Sequence, residues 1–237
     1  MPPVAVLRFS PTEGPGHFGE WLSAQGMPYE LVGIDRGDAV PGEARHFSGI
    51  GLMGGPMSVN DALPWIGEVG ALLRDAVDRD VPVIGHCLGG QLLAQALGAR
   101  VSRTAVPEIG WIDVNVTDET ARNTWFGGRA RFPVFQWHYD AFDLPPGASR
   151  VLTNGFNPNQ AYVIGQLHIG FQCHIEMTRE LVDTWCVSGA NELPAQSSSA
   201  KQSRQEIERD LGARLSDLHA VADDIYAQWA RGLDRAA

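Results

Sequence analysis

The sequence predicts an α/β fold of three layers, a mostly parallel central sheet with helices on both faces. Three observations carry this reading. In the N-terminal half, short apolar runs alternate with stretches of helical periodicity, the pattern of strand–helix–strand units. Two of the runs end in glycine-rich turns. The chain has 237 residues, 44% hydrophobic and 19% charged, which suffices to bury one sizeable core.

The elements follow in order. Residues 4–9 are an apolar run that reads as a buried strand, 17–25 as a helix and 29–34 as a second strand. Residues 49–53 form a strand running into Gly54-Gly55. Asn60 or Asp61 is a natural cap for the helix over 65–79, whose Ile66, Val69, Leu72, Leu73, Ala76 and Val77 recur at helical spacing. A continuous apolar strand at 81–84 precedes a helix at 89–97. The middle is richer in turns. There 112–116, 134–137 and 161–164 read as strands, some antiparallel, separated by turns at 145–149 and 154–160. Residues 166–174 read as a strand returning to the core, and 179–187 as a helix. This makes 1–190 the principal domain. A polar, Ser-rich connector spans 191–203. An amphipathic helix within 204–237 follows, with Ile207, Leu211, Leu215, Leu218, Ala222, Ile225 and Trp229 on one face. Such a face is expected to pack on its own domain, with docking of a partner as the alternative, and a homodimer stays open.

Charge narrows the partners. Eighteen basic against 28 acidic residues give a net charge of −10, which repels phosphate and argues against nucleic acid. No stretch has the length of a membrane span. Cys87, Cys173 and Cys186 have no paired spacing and are odd in number, which favours a reducing compartment. No signal peptide is evident, and the expected location is cytoplasmic. Nothing implies a metal or an organic cofactor. Cys173 and His174 are adjacent, so they diverge on a strand, and no second ligand pair accompanies them.

The chemistry concentrates at Gly85-His86-Cys87-Leu88-Gly89, between a strand and a helix. This is the context of a nucleophile elbow, in which the nucleophile takes a strained turn and flanking glycines avoid collisions. The helix N-terminus behind it favours a thiolate. A small buried cysteine at a strand end is the alternative. A thiol nucleophile needs a base, and the base an orienting partner. His174 and Glu176 are two apart, so in an extended segment they share a face and Cys173 points away. Met53-Gly54-Gly55-Pro56 follows a strand, where backbone N–H groups would meet an oxyanion together with that of Leu88. No Lys-Ser/Thr follows, so this is not a phosphate loop.

GHCLGGQ (85–91), HIE (174–176) and MGGP (53–56) together resemble the class I glutamine amidotransferases, a family that includes γ-glutamyl hydrolases and peptidases. The resemblance covers about residues 45–190 and implies a flavodoxin-like fold. It implies attack of Cys87 on a glutamine side-chain amide, with His174 as base and Glu176 as its orienter. Ammonia leaves, and water then releases glutamate from a γ-glutamyl thioester. By the same resemblance Gly55 and Leu88 are the oxyanion donors and Gln91 holds the substrate. Trp137-His138-Tyr139-Asp140 resembles the Ser-His-Gly-Asp stretch of the GMP synthase branch, which assigns His138 and Asp140 to the substrate's α-amino and carboxylate groups. Here Trp and Tyr replace Ser and Gly, which leaves room for a different acyl substrate. His-Ile-Glu replaces the frequent His-Pro-Glu without changing the facing of His174 and Glu176. The biosynthetic members pass ammonia to a synthetase, and none is present in these residues. The expectation is thus a free-standing amidase for glutamine, with or without a separate synthetase partner. A γ-glutamyl peptidase and a non-catalytic regulatory relative are the alternatives.

Overall fold

A computed structural model describes residues 1–233. One nine-stranded sheet runs through the molecule in the order β2-β1-β3-β4-β9-β8-β7-β5-β6. The strands β1 (Val4–Arg8), β2 (Tyr29–Gly33), β3 (Gly49–Leu52), β4 (Val83–His86) and β9 (His168–Phe171) are mutually parallel. The rest of the sheet is antiparallel: β8 (Ala161–Ile164), β7 (Ala148–Thr153), β5 (Val101–Val116) and β6 (Arg131–Phe142).

Side-chain alternation builds the two outer layers. On β1, Val4 and Val6 face one core, and Ala5 and Leu7 the other. The first core receives Phe18, Trp21 and Leu22 of α1 (Gly16–Ala24), Ala121 and Trp125 of α4 (Glu119–Trp125), and Val182 and Trp185 of α5 (Arg179–Ser188). The second receives Leu72, Leu73 and Ala76 of α2 (Pro64–Asp78) and Leu92 and Leu93 of α3 (Leu88–Ala96). Strands buried on both faces read as continuous apolar runs, which is why the parallel half was legible.

Several elements depart from expectation. The cap of α2 is Leu63, with Pro64 opening the helix. Asn60 and Asp61 are used elsewhere: Asn60 Nδ2 donates to the Val101 carbonyl, and Asp61 accepts from the Ser58 N–H. Strands β5 and β6 extend far beyond 112–116 and 134–137, and β5 shifts register between Arg103 and Glu108. Strand β9 ends at Phe171, so His174 and Glu176 lie beyond it on a bent segment. That segment is tied to β6 by His174 N–H to Phe135 O at 2.8 Å. The connector is anchored on β5, where Gln202 bonds both backbone groups of Trp111.

The C-terminal helix is two helices, α6 (Arg204–Glu208) and α7 (Leu211–Ala230). The break falls at Asp210, whose φ of 52° is left-handed, and it lets Ile207 and Leu211 both bury. Residues 234–237 of the expected span lie outside the described residues.

Candidate active site

Four neighbouring parallel strands deliver the site from their carboxyl ends: β1, β3, β4 and β9. That is where ligands bind in open α/β sheets. Cys87 follows β4 and caps α3, with φ 48° and ψ −105°. A non-glycine residue held in such a conformation is strained and must be fixed by its surroundings. The glycines explain how. A Cβ on Gly85 would lie 2.5 Å from the Gly89 carbonyl carbon, and one on Gly89 would lie 2.5 Å from the Leu52 oxygen. Any side chain at either position would therefore push α3 away from β3 and β4. Leu88 is the first residue of α3, so its N–H has no partner within the helix.

His174 Nδ1 and Glu176 Oε1 are 2.6 Å apart and both residues are buried. Trp185 packs edge-on against the imidazole, with ring centroids 4.7 Å apart. Burial opposes charge on both groups, but each outweighs that for the other. Glu176, against burial, is held down to about 2 chiefly by His174. His174, against burial, is raised well above its ordinary value by the charges of Glu176 and Cys87. Cys87, His174 and Glu176 thus converge, although the segment bearing the last two is bent. Cys173 points into the apolar core, where burial pushes its thiol up.

Gly54 and Gly55 have separate reasons. A Cβ on Gly55 would strike Met57 Sδ at 2.6 Å and Leu88 Cδ2 at 2.7 Å, so its backbone sits against the first turn of α3. A Cβ on Gly54 would lie 2.6 Å from Glu13 Oε2 and 3.0 Å from His174 Cε1. Gly54 therefore makes room for side chains of the protein itself. Two site residues carried no sequence motif. One is Glu13. The other is Gln172, fully buried, whose Nε2 lies 3.6 Å from Cys87 Sγ. Its place two residues before His174, on the same face, was the available signal.

Gln91, His138 and Asp140 all line the cleft with Cys87 and His174, and all three have polar groups engaged by the protein itself. Gln91 Nε2 donates to the Asp140 carbonyl and to Gln172 Oε1, at 3.1 and 3.2 Å. His138 lies 2.9 Å from the Asp140 carbonyl through Nδ1 and 3.1 Å from the buried Glu108 through Nε2. Glu108 also accepts from Gln160 and Asn154. His138 thus supports Asp140 from behind. The Asp140 carboxylate accepts from Ser58 Oγ at 2.7 Å and faces Arg103 at 3.5 Å. Arg103, in the cleft lining, lies over the Tyr139 ring at 4.8 Å, and Lys201, outside that lining, lies over it at 4.7 Å. The cleft encloses about 320 Å³. Among the described residues no group of three or more His, Cys, Asp or Glu is placed to hold a metal, and no helix is long and apolar enough to cross a membrane.

The sequence profile of the class I glutamine amidotransferases matches residues 21–187. The chain belongs to the class I glutamine amidotransferase family. A solved glutamine amidotransferase from Methylobacillus flagellatus is 45% identical and superposes with a TM-score of 0.94, covering 98% of this chain and 95% of that one. Another from Thermotoga maritima is 26% identical, with a TM-score of 0.85 over 98% and 97% of the two chains. The glutamine amidotransferase-like protein YfeJ of Salmonella typhimurium is 31% identical over 72% of this chain and 74% of its own length. The glutamine-hydrolysing GMP synthase of Aeropyrum pernix is 34% identical over 68% of this chain, which spans only 31% of that protein. The chain thus spans nearly all of the two solved chains and most of YfeJ, but less than a third of the synthase.

Proposed function

We propose that this family member is a free-standing amidase that hydrolyses the γ-amide of glutamine, with Cys87 as nucleophile, His174 as base and Glu176 as its orienter. The observation that carries the reading is the strained turn at Cys87 together with a buried His174–Glu176 pair at 2.6 Å. An imidazolium beside the sulfur is the partner a thiolate nucleophile uses. The thiolate attacks the amide carbon, and the N–H groups of Gly55 and Leu88 receive the oxyanion. The proton on His174 passes to the nitrogen, the C–N bond breaks and ammonia leaves. Water then adds to the thioester, giving its proton to His174, and glutamate departs as the C–S bond breaks. Asp140 suits a cationic α-amino group. The name of the A. pernix relative, a glutamine-hydrolysing enzyme, agrees with this chemistry. Other relatives are named as one subunit of a glutamine-hydrolysing GMP synthase, which makes a separate synthetase the natural acceptor of ammonia. A cytoplasmic location fits the same reading.

One observation favours a second substrate. Tyr139 with Arg103 over its ring gives the cleft an aromatic and cationic edge that a carboxylate-bearing leaving group would fit. The reaction would then be γ-glutamyl peptide hydrolysis by the same residues. The test is labelling by a glutamine-like chloroketone, with mass spectrometry locating the adduct, beside assays of ammonia release from glutamine and amine release from γ-glutamyl dipeptides. An adduct on Cys87 and ammonia from glutamine are expected. Labelling at Cys173 or Cys186 instead would overturn the assignment.

A further inference from the structure

The loop joining β1 to α1 brings a carboxyl into the cleft. It is held on both sides. The Glu13 N–H donates to the Ser10 carbonyl at 3.1 Å, the Thr12 carbonyl accepts from Trp185 Nε1 at 2.8 Å, and the His17 N–H donates to the Glu176 carbonyl at 2.9 Å. Glu13 lines the same cleft as Cys87 and His174. Its Oε2 is closed off from solvent and has no hydrogen-bond partner. Leaving that oxygen unpaired is costly if it carries charge, while the half-buried side chain still lines the cleft, where the rest of the carboxyl can meet an arriving group. Oε2 and His174 Cε1 both lie within 3.0 Å of the point where a Gly54 Cβ would stand. The carboxyl and the ring carbon between the two nitrogens therefore face the same small space at Gly54. Glu176 occupies Nδ1, so the free ring nitrogen is Nε2, the one left for the sulfur and the departing nitrogen.

We propose that Glu13 serves the leaving group: its carboxyl hydrogen-bonds the nitrogen that departs from the γ-amide and then the water that replaces it. This rests on the reading of Cys87 and His174 as nucleophile and base. In the first half-reaction the C–S bond forms, the C–N bond breaks, and the proton reaching nitrogen comes from His174. Glu13 accepts an N–H hydrogen bond and keeps its own proton throughout. In the second half-reaction it accepts from the attacking water, whose proton goes to His174.

The electrostatics agree with a neutral acid. Burial pushes Glu13 up to about 8, against the pull of His174 and with a further push from Glu176. The other charged groups facing the cleft are Arg103, Asp140 and Glu192. Once ionised, Glu13 would add an anion beside the His174–Glu176 pair and hold the imidazolium proton more tightly, slowing its transfer.

The experiment compares the full chain with Glu13→Ala and Glu13→Gln, reading glutamine turnover from pH 6 to 10 and iodoacetamide alkylation of Cys87 over the same range. Glu13→Ala should lower kcat by roughly 10- to 100-fold, the loss of one hydrogen bond to the reacting atoms. Wild-type kcat should fall above about pH 8, where Glu13 ionises, and Glu13→Gln should lack that fall. Glu13→Ala within about twofold of wild type, or the same alkaline fall in Glu13→Gln, would overturn the proposal. Should wild type release no ammonia from glutamine, the substrate reading fails and alkylation still decides for Glu13. An inflection near pH 8 in wild type that is absent from Glu13→Gln supports its placement, and the same inflection in both overturns it.

Discussion

At the scale of single residues, Cys87 and the His174–Glu176 pair come from two distant segments to one cleft, and their substitution should separate their roles. Cys87→Ala should bring turnover to background while leaving the thermal midpoint close to wild type, measured by ammonia release and calorimetry. Glu176→Gln keeps the base but not its orienter, so kcat should fall by about 10²-fold or more yet stay above His174→Ala. Full activity in Glu176→Gln would remove that residue from the mechanism. The same carboxyl should govern acid stability. With its pKa held from 4.5 down to about 2, it contributes on the order of 3 kcal/mol above pH 4.5, lost as pH falls from there through about 2. The urea midpoints of wild type and Glu176→Gln should therefore converge on acidification. Glu13 has the opposite sign. Raised from 4.5 to about 8, it costs stability on the order of 3 kcal/mol at pH 7. Glu13→Gln should consequently unfold at higher denaturant at pH 7 than wild type, and the gain should vanish below pH 4.5.

At the scale of elements, the elbow depends on how closely α3 approaches β3, and glycines separate function from mere helix propensity. Gly89→Ala would set a methyl 2.5 Å from the Leu52 oxygen, so it should cost about 2–4 kcal/mol and disturb Cys87. Gly67→Ala, on the exposed face of α2 with nothing within 4 Å, should instead stabilise by about 0.5–1 kcal/mol. Chemical denaturation of both variants checks the contrast. These elements also mark where sequence was informative. The parallel strands β1, β3 and β4, buried on both faces, appear as apolar runs, and the elbow adds its glycines. The antiparallel half did not read so clearly. Strand β5 carries Arg103, Thr104, Pro107 and Glu108 through its irregular first half, and only its buried stretch beyond Ile109 resembles a strand. Pairing of His174 with Glu176 was legible from their spacing. Glu13, in contrast, sits in a loop whose sequence says nothing of the long-range contacts, through Trp185 and Glu176, that bring it over His174.

At the scale of the whole molecule, the fold does not end where the family profile does. That match stops at residue 187, whereas the M. flagellatus structure superposes over 98% of the chain. What lies beyond is α6 and α7, and α7 fills one side of the core. Leu215, Leu218, Val221, Ile225, Tyr226 and Trp229 are all buried. Trp229 reaches β3, where a Cβ on Gly49 would touch its ring at 2.9 Å, and it packs edge-on against Phe18 of α1. His219 of α7 lies 2.8 Å through Nε2 from the carbonyl of Met177, which ties α7 to the segment that carries His174 and Glu176. Each large apolar side chain buried is worth about 1.5–3 kcal/mol, so six of them exceed a typical margin of about 5–15 kcal/mol at its lower end. A chain truncated after Arg209 should therefore be recovered unfolded or aggregated, without a cooperative thermal transition and without Cys87 labelling. Trp229→Ala alone should cost about 3–5 kcal/mol. A truncated chain that melts cooperatively near the wild-type temperature and still labels at Cys87 would mean that α7 is an appendage rather than part of the core.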